Sequence, residues 1–159
     1  MVCNASFQSS KYPVAKIKIY SLLTYAGALP FIACALLPLI GVSAIQRIGS
    51  VDYIAAVYAL TIVSFMAGVH WGMALDPQRT EWPVNLFLSS NAVTIMAWLA
   101  FLTTTPKITL IIGILAFLYL LWVDYRLYSL NLLTAHYLQT RRHVTALVVL
   151  SLLMIVGIA

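Results

Sequence analysis

The sequence predicts an all-α polytopic membrane protein: a bundle of about five transmembrane helices, amino terminus inside and carboxyl terminus outside. Three observations carry this. Hydrophobic residues make up 63% of the chain and charged residues only 8%, where soluble domains carry roughly 25% charged residues. The apolar residues gather into five stretches separated by short, turn-bearing segments. The basic residues then fall unevenly on alternate connections, as the positive-inside rule requires.

Residues 1–18 are expected to form a cytoplasmic tail, and residues 19–159 a single five-helix transmembrane domain. The first stretch, Ile19–Gly41, follows Lys11, Lys16 and Lys18 and precedes Val42-Ser43-Ala44, which resembles a signal-peptidase site. It is far longer than the roughly 7–15-residue core of a signal peptide. We read it as a signal anchor and first span, kinked at Pro30 and Pro38 because proline cannot donate to the helix ladder. Tyr53–Leu75, Val84–Leu102 and Ile108–Leu127 are each close to the roughly 20 residues needed to cross the hydrocarbon core. Lipid satisfies no backbone polar group, so each must be helical.

The last stretch, Val144–Ile158, is shorter and borrows length from the segment before it. Between Tyr125 and His143, leucines alternate irregularly with polar residues. That pattern fits a short helix lying in the interface or an extension of the last span from about Leu132. No Gly or Pro interrupts the run, which favours the extension. Turn chemistry marks Gly41 to Ser50, Asp76-Pro77, Trp82-Pro83 and Thr105-Pro106, so successive helices are antiparallel neighbours. No internal repeat is visible, which counts against the inverted-repeat designs of secondary transporters.

With the amino terminus inside, the inner segments hold Lys11, Lys16, Lys18, Arg79, Arg126, Arg141 and Arg142, and the outer ones only Arg47 and Lys107. The formal net charge of +5 therefore reflects topology and anionic headgroups, not a nucleic-acid face. Cys3 and Cys34 have no CxxC or Cys/His pairing at zinc spacing.

Within the spans, Ser64, Gly68 and Gly72 are four apart and form a small-residue ridge of the kind that lets another helix approach closely. His70 lies about 200° from Gly68 around the helix, on the face of Ala59, Val63, Met66 and Ala74. An ionisable residue inside a span is a functional-site hypothesis by default; the structural alternative is a neutral histidine bonded to a neighbouring helix. Asp124 closes the fourth span, too close to Arg126 in sequence to face it on a helix. The candidate partners are His70, Arg141, Arg142 and His143; the structural alternative is a carboxylate at the interface with a snorkelling arginine beside it. Asn91 enters the third span from the same side, and Tyr119, Trp122, Tyr125 and Tyr128 form an aromatic belt there. The candidate pocket is therefore His70, Trp71, Asn91, Asp124, Arg126, Arg141 and Arg142, one-sided and in the inner leaflet.

Ser64-Phe65-Met66-Ala67-Gly68-Val69-His70-Trp71-Gly72 resembles the Ser-Phe-x-Gly-Gly-x-His-Trp-Gly signature of a family of small bacterial membrane proteins with mitochondrial relatives, catalogued as a domain of unknown function. Ala67 departs from it, small for small. Leu29-Pro30-Phe31, Asp124-Tyr125-Arg126 and Tyr137-Leu138-Gln139-Thr140-Arg141-Arg142 leading into Thr145 are similar to the same family. The resemblance implies a bacterial inner membrane, or less readily the mitochondrial one, and no particular chemistry.

The expected function is non-enzymatic: a cytoplasmic-leaflet pocket that binds a lipid headgroup, a quinone or a partner subunit of a larger membrane complex. Arginine forks match phosphate, which makes Arg126, Arg141 and Arg142 the candidate headgroup contacts. The alternatives are a haem- or metal-binding protein using His70, His136 and His143, or a small transporter. No paired carboxylates or nucleophile–base pair indicates catalysis, and no cofactor is identifiable. The topology has a direct check. An extracytoplasmic reporter fused after Ala159 should be active and one inserted near Thr134 inactive; the reverse result removes the orientation, and activity at both removes the five-span count.

Overall fold

The computed structural model describes residues 14–75 and 83–158. Cys3, Lys11, the turn residues Asp76 and Pro77, Arg79 and Trp82 lie outside the described residues, as does most of the expected tail. Five helical segments are long and apolar enough to cross a membrane: Ile19–Ile40, Val51–Ala74, Val84–Thr103, Pro106–Ser129 and Ala135–Ile158. The protein is an all-α membrane bundle.

The first span is broken rather than kinked. Helix α1 (Val14–Ala26) ends at Gly27, helix α2 (Leu29–Leu36) restarts with Pro30 in its first turn, and Leu37–Ile40 tightens into a 3-10 turn beginning at Pro38. Each proline lacks the N–H that would bond four residues back. The chain bridges the first gap by Ala28 N–H donating to the Tyr25 carbonyl at 2.9 Å. Gly41, at φ 84°, then stops the span: its N–H donates to Pro38 and that of Val42 to Leu37, the Schellman arrangement. A two-residue hairpin, β1 (Ala44–Ile45) against β2 (Gly49–Ser50), leads into α3 (Val51–Ala74). Nothing in the sequence signalled the hairpin; Arg47, not a glycine, takes its left-handed position at φ 70°.

Helix α4 (Pro83–Thr103) follows, then α5 (Pro106–Ser129), whose Thr105 cap and Pro106 set its start. The last span is one unbroken helix, α6 (Ala135–Ile158). It begins three residues after the expected Leu132, and the reason is a stop signal that is neither Gly nor Pro. Asn131 adopts φ 59°. Its N–H bonds to Tyr128 at 2.9 Å and that of Leu132 to Leu127 at 3.1 Å, closing α5 with a second Schellman motif. Thr134 then caps α6 by accepting from Tyr137 N–H at 3.3 Å. The turn between α5 and α6 is therefore short, and the two helices lie antiparallel against each other.

Helix α5 is the central element: half of its most apolar window is buried, against 22% for α4, which lies at the periphery. The principal core joins Phe31 of α2, Ala55, Ala56, Ala59 and Val63 of α3, Leu110, Phe117 and Leu120 of α5, and Val148 and Leu152 of α6. Close approach of α3 and α5 is set by Gly113, where an added Cβ would sit 3.6 Å from that of Ala59.

This corrects the packing expected of Ser64, Gly68 and Gly72. Both glycines are exposed, and a Cβ at either would meet nothing within 4 Å. Among the described residues Gly68 and Gly72 pack against no other helix. The small residues that do bring helices together are alanines on the opposite side of α3, a pattern hidden in a helix rich in alanine throughout. Gly113→Leu should therefore destabilise the bundle by roughly 1–3 kcal/mol, the usual cost of overpacking, whereas Gly68→Leu should be close to neutral. Thermal unfolding of both variants in detergent checks this; equal losses would show that the ridge has a packing partner.

Candidate functional site

Asp124 and Arg141 meet because of where they sit relative to the α5–α6 turn. Asp124 lies six residues before Leu130, the last residue of the α5 cap, and Arg141 six residues after Ala135. At 1.5 Å per residue each is about 9 Å in from the turn. His70, four residues from the end of α3, completes the level from a third helix.

The three side chains form one buried cluster. Asp124 is fully buried, and His70 and Arg141 are exposed by only 1% and 4%. Arg141 Nε donates to Asp124 Oδ2 at 2.9 Å, and His70 Nε2 lies 2.9 Å from Oδ1. An ionised carboxylate only accepts, so His70 holds a proton on Nε2 and donates it toward Asp124. Arg141 Nη1 donates weakly to Met66 Sδ at 3.4 Å. The remaining guanidinium nitrogen, Nη2, is buried without a hydrogen-bond partner.

Two further buried atoms share that condition: the Thr145 hydroxyl and the Tyr20 hydroxyl. All three residues line one cavity of about 410 Å³ between α1–α2, α3 and α6, with Phe117 of α5 at its back. Tyr137, stacked on Tyr20 with ring centres 5.6 Å apart, closes the polar end. Apart from Thr24, the rest of the wall is apolar, including Phe31, Ile62, Val69, Val144 and Val148. Leu23 and Phe65 also line it and are 66% and 67% exposed, so the cavity opens sideways through the bundle perimeter.

Residues 17–157 match a family of proteins of unknown function, DUF3429. The chain belongs to that family. This accords with the resemblance to an uncharacterised family drawn from the α3 segment. No curated protein and no solved structure matches the DUF3429 chain.

Of the residues expected in one pocket, the fold brings together His70, Asp124 and Arg141 and separates the rest. Trp71 is exposed and meets Phe87 edge-on at 5.3 Å. Asn91 is exposed and turns its amide back to the Phe87 carbonyl at 2.8 Å. Arg126 and Arg142 are exposed on the bundle surface, Arg126 over Trp122 at 5.6 Å and Arg142 over Tyr125 at 6.0 Å. The reason is angular. Neighbours of His70 and Arg141 in sequence point about 100° away around the helix, and Asn91 is on the outer side of the peripheral α4.

The haem reading fares likewise. His136 and His143 are exposed and join α6 to α1, at 3.0 Å to the Ser21 hydroxyl and 3.4 Å to that of Tyr25. His70 is engaged inside, and no group of three metal-ligating side chains occurs among the described residues. The residues that sequence reasoning missed are Met66 as an arginine contact, and Tyr20, Tyr137 and Thr145. A signal existed for two of them: Tyr137, Arg141 and Thr145 are four apart and share one helical face.

The cluster makes an ordered stability prediction. Asp124→Ala leaves Arg141 buried without its counter-charge and should cost about 3–5 kcal/mol. His70→Ala removes one charge-assisted bond, about 1.5–3 kcal/mol. Thr145→Val deletes an unpaired hydroxyl and should leave stability equal or higher. Unfolding midpoints in detergent test the order; a milder loss for Asp124→Ala than for His70→Ala would contradict it.

Proposed function

We propose that this protein is a non-enzymatic binder of a membrane amphiphile, held in the cavity between α1–α2, α3 and α6 with its head against Arg141, Thr145 and Tyr20. One observation carries the reading. Three residues that each carry a buried polar atom, costly to leave unpaired, come from two spans and line the same largely apolar cavity. A ligand head with acceptors would satisfy them, and an apolar tail would cover the rest.

The volume of about 410 Å³ falls within the roughly 300–1,000 Å³ usual for small-molecule sites. Along α6 the lining runs from Tyr137 to Val148, about 16 Å of axial rise. That is long enough for a head and the first part of a chain. The exposed Leu23 and Phe65 give a ligand dissolved in the bilayer a lateral way in. His70 and Asp124 do not line the cavity; they hold Arg141 in place from behind.

In this reading the polar end of the cavity lies in the cytoplasmic leaflet of a bacterial inner membrane. The excess of basic residues in the segments on that side supports the assignment. Arg126 and Arg142, over aromatic rings at the same level, would contact bulk anionic headgroups and leave the cavity ligand to Arg141.

Native mass spectrometry of protein released from bacterial membranes tests the proposal. The wild type should retain one equivalent of an amphiphile, and Val69→Trp, which fills the cavity from a half-buried wall position, should lose it while keeping its fold. A wild type that holds nothing, or a filled variant that holds as much, would refute the proposal.

A further inference from the structure

We infer that the amphiphile has an uncharged, planar, hydrogen-bond-accepting head, the chemistry of a membrane quinone, and that the cavity discriminates against anionic lipids and fatty acids. This rests on the cavity reading above and specifies its ligand.

Among the described residues Arg141 is the one cationic side chain lining the cavity, and its charge is already matched by the fully buried Asp124 through the 2.9 Å bond from Nε. The arginine–carboxylate pair is thus balanced before any ligand arrives. A carboxylate or phosphate beside Nη2 would put a second, unmatched negative charge close to Asp124. Burying such a charge in a low-dielectric site is strongly unfavourable. A carbonyl accepts the same Nη2–H bond and adds no charge.

Hydrogen-bond capacity points the same way. Nη2 only donates, whereas the Thr145 and Tyr20 hydroxyls can donate or accept. The head must therefore offer at least one bare acceptor to arginine, and a hydroxyl or a second carbonyl suits the other two. Quinones and quinols meet this in either form. No redox step is implied, since the inference concerns binding alone.

The shape of the walls is the third point. The polar end is bounded by the stacked Tyr20–Tyr137 pair, whose planes differ by only 19°, and Phe31, Phe65 and Phe117 also line the cavity. Flat aromatic walls favour a flat ring through stacked or edge contacts. An acyl glycerol head, tetrahedral and strongly hydrated, gains nothing from them. The lateral opening past Leu23 and Phe65 then receives the isoprenoid or alkyl tail.

Calorimetric titration of the purified protein with three probes decides the matter: decylubiquinone, laurate in mildly alkaline buffer where it is ionised, and short-chain phosphatidylglycerol. Decylubiquinone should saturate one site, and the two anions should bind about tenfold more weakly or worse. Tyr20→Phe and Thr145→Val should each weaken quinone binding by up to about tenfold, the worth of one neutral hydrogen bond. Both should melt like the wild type, so a loss of binding is not a loss of fold. Val69→Trp should abolish binding. Anions that bind as tightly as the quinone overturn the choice of head and leave the cavity reading intact. Quinone binding that survives both Val69→Trp and Thr145→Val lies elsewhere and also overturns the inference. If no probe binds and native mass spectrometry finds nothing retained, both readings fall together.

Discussion

The carboxylate of Asp124 is the constraint around which the lower half of this bundle is organised. It is fully buried, and each of its oxygens is engaged by a different helix, one by His70 of α3 and the other by Arg141 of α6. In lipid the association of helices cannot draw on the hydrophobic effect, so packing and interhelical hydrogen bonds hold a bundle together. A single acceptor that binds two spans to a third is the most economical polar device available. It fixes the depth of all three helices at one level, because moving any of them by one turn, 5.4 Å, would leave a buried polar group unpaired.

The rest of the bundle is held by contacts of another kind. Toward the opposite membrane face the core is built from Phe31, Leu110, Phe117, Leu152 and the alanines of α3, with Gly113 admitting Ala59. There, shape governs. The division has a consequence for the cavity, which runs from the polar level into the apolar one. Its polar end carries Arg141, Thr145 and Tyr20, and the rest has mainly aromatic and aliphatic walls. An amphiphilic space is what results when a polar cross-brace sits at one end of an apolar bundle. The break at Gly27–Ala28 contributes as well, since Gly27 lines the same space.

The histidines illustrate how one residue type takes on different roles at one membrane level. His70 is enclosed by three helices and braces the cluster. His136 and His143, two turns apart on α6, meet Ser21 and Tyr25, four apart on α1. These hydroxyl–imidazole bonds tie α1, which lines one side of the cavity, to the helix that carries Arg141.

The sequence by itself determined the number of spans, their approximate limits and the helical class, because a bilayer of fixed thickness imposes a fixed length of apolar helix. It also marked His70 and Asp124 as ionisable residues that need partners, since such a group inside a span is costly to leave unpaired. It misplaced the start of α6, for Asn131 carries its stop signal only in its backbone angle. Choosing Arg141 over Arg142, and excluding Trp71, Asn91 and Arg126 from the site, was beyond it. Adjacent residues differ by about 100° in direction, and which direction is inside depends on how helices distant in sequence are rotated against one another. The ridge at Gly68 and Gly72 failed for the same reason: spacing shows that small residues share a face, but not which face meets a neighbour. Only the tertiary structure decided that Tyr20, Arg141 and Thr145, each with a buried unpaired polar atom, line one space, because that convergence joins two spans more than a hundred residues apart in the chain.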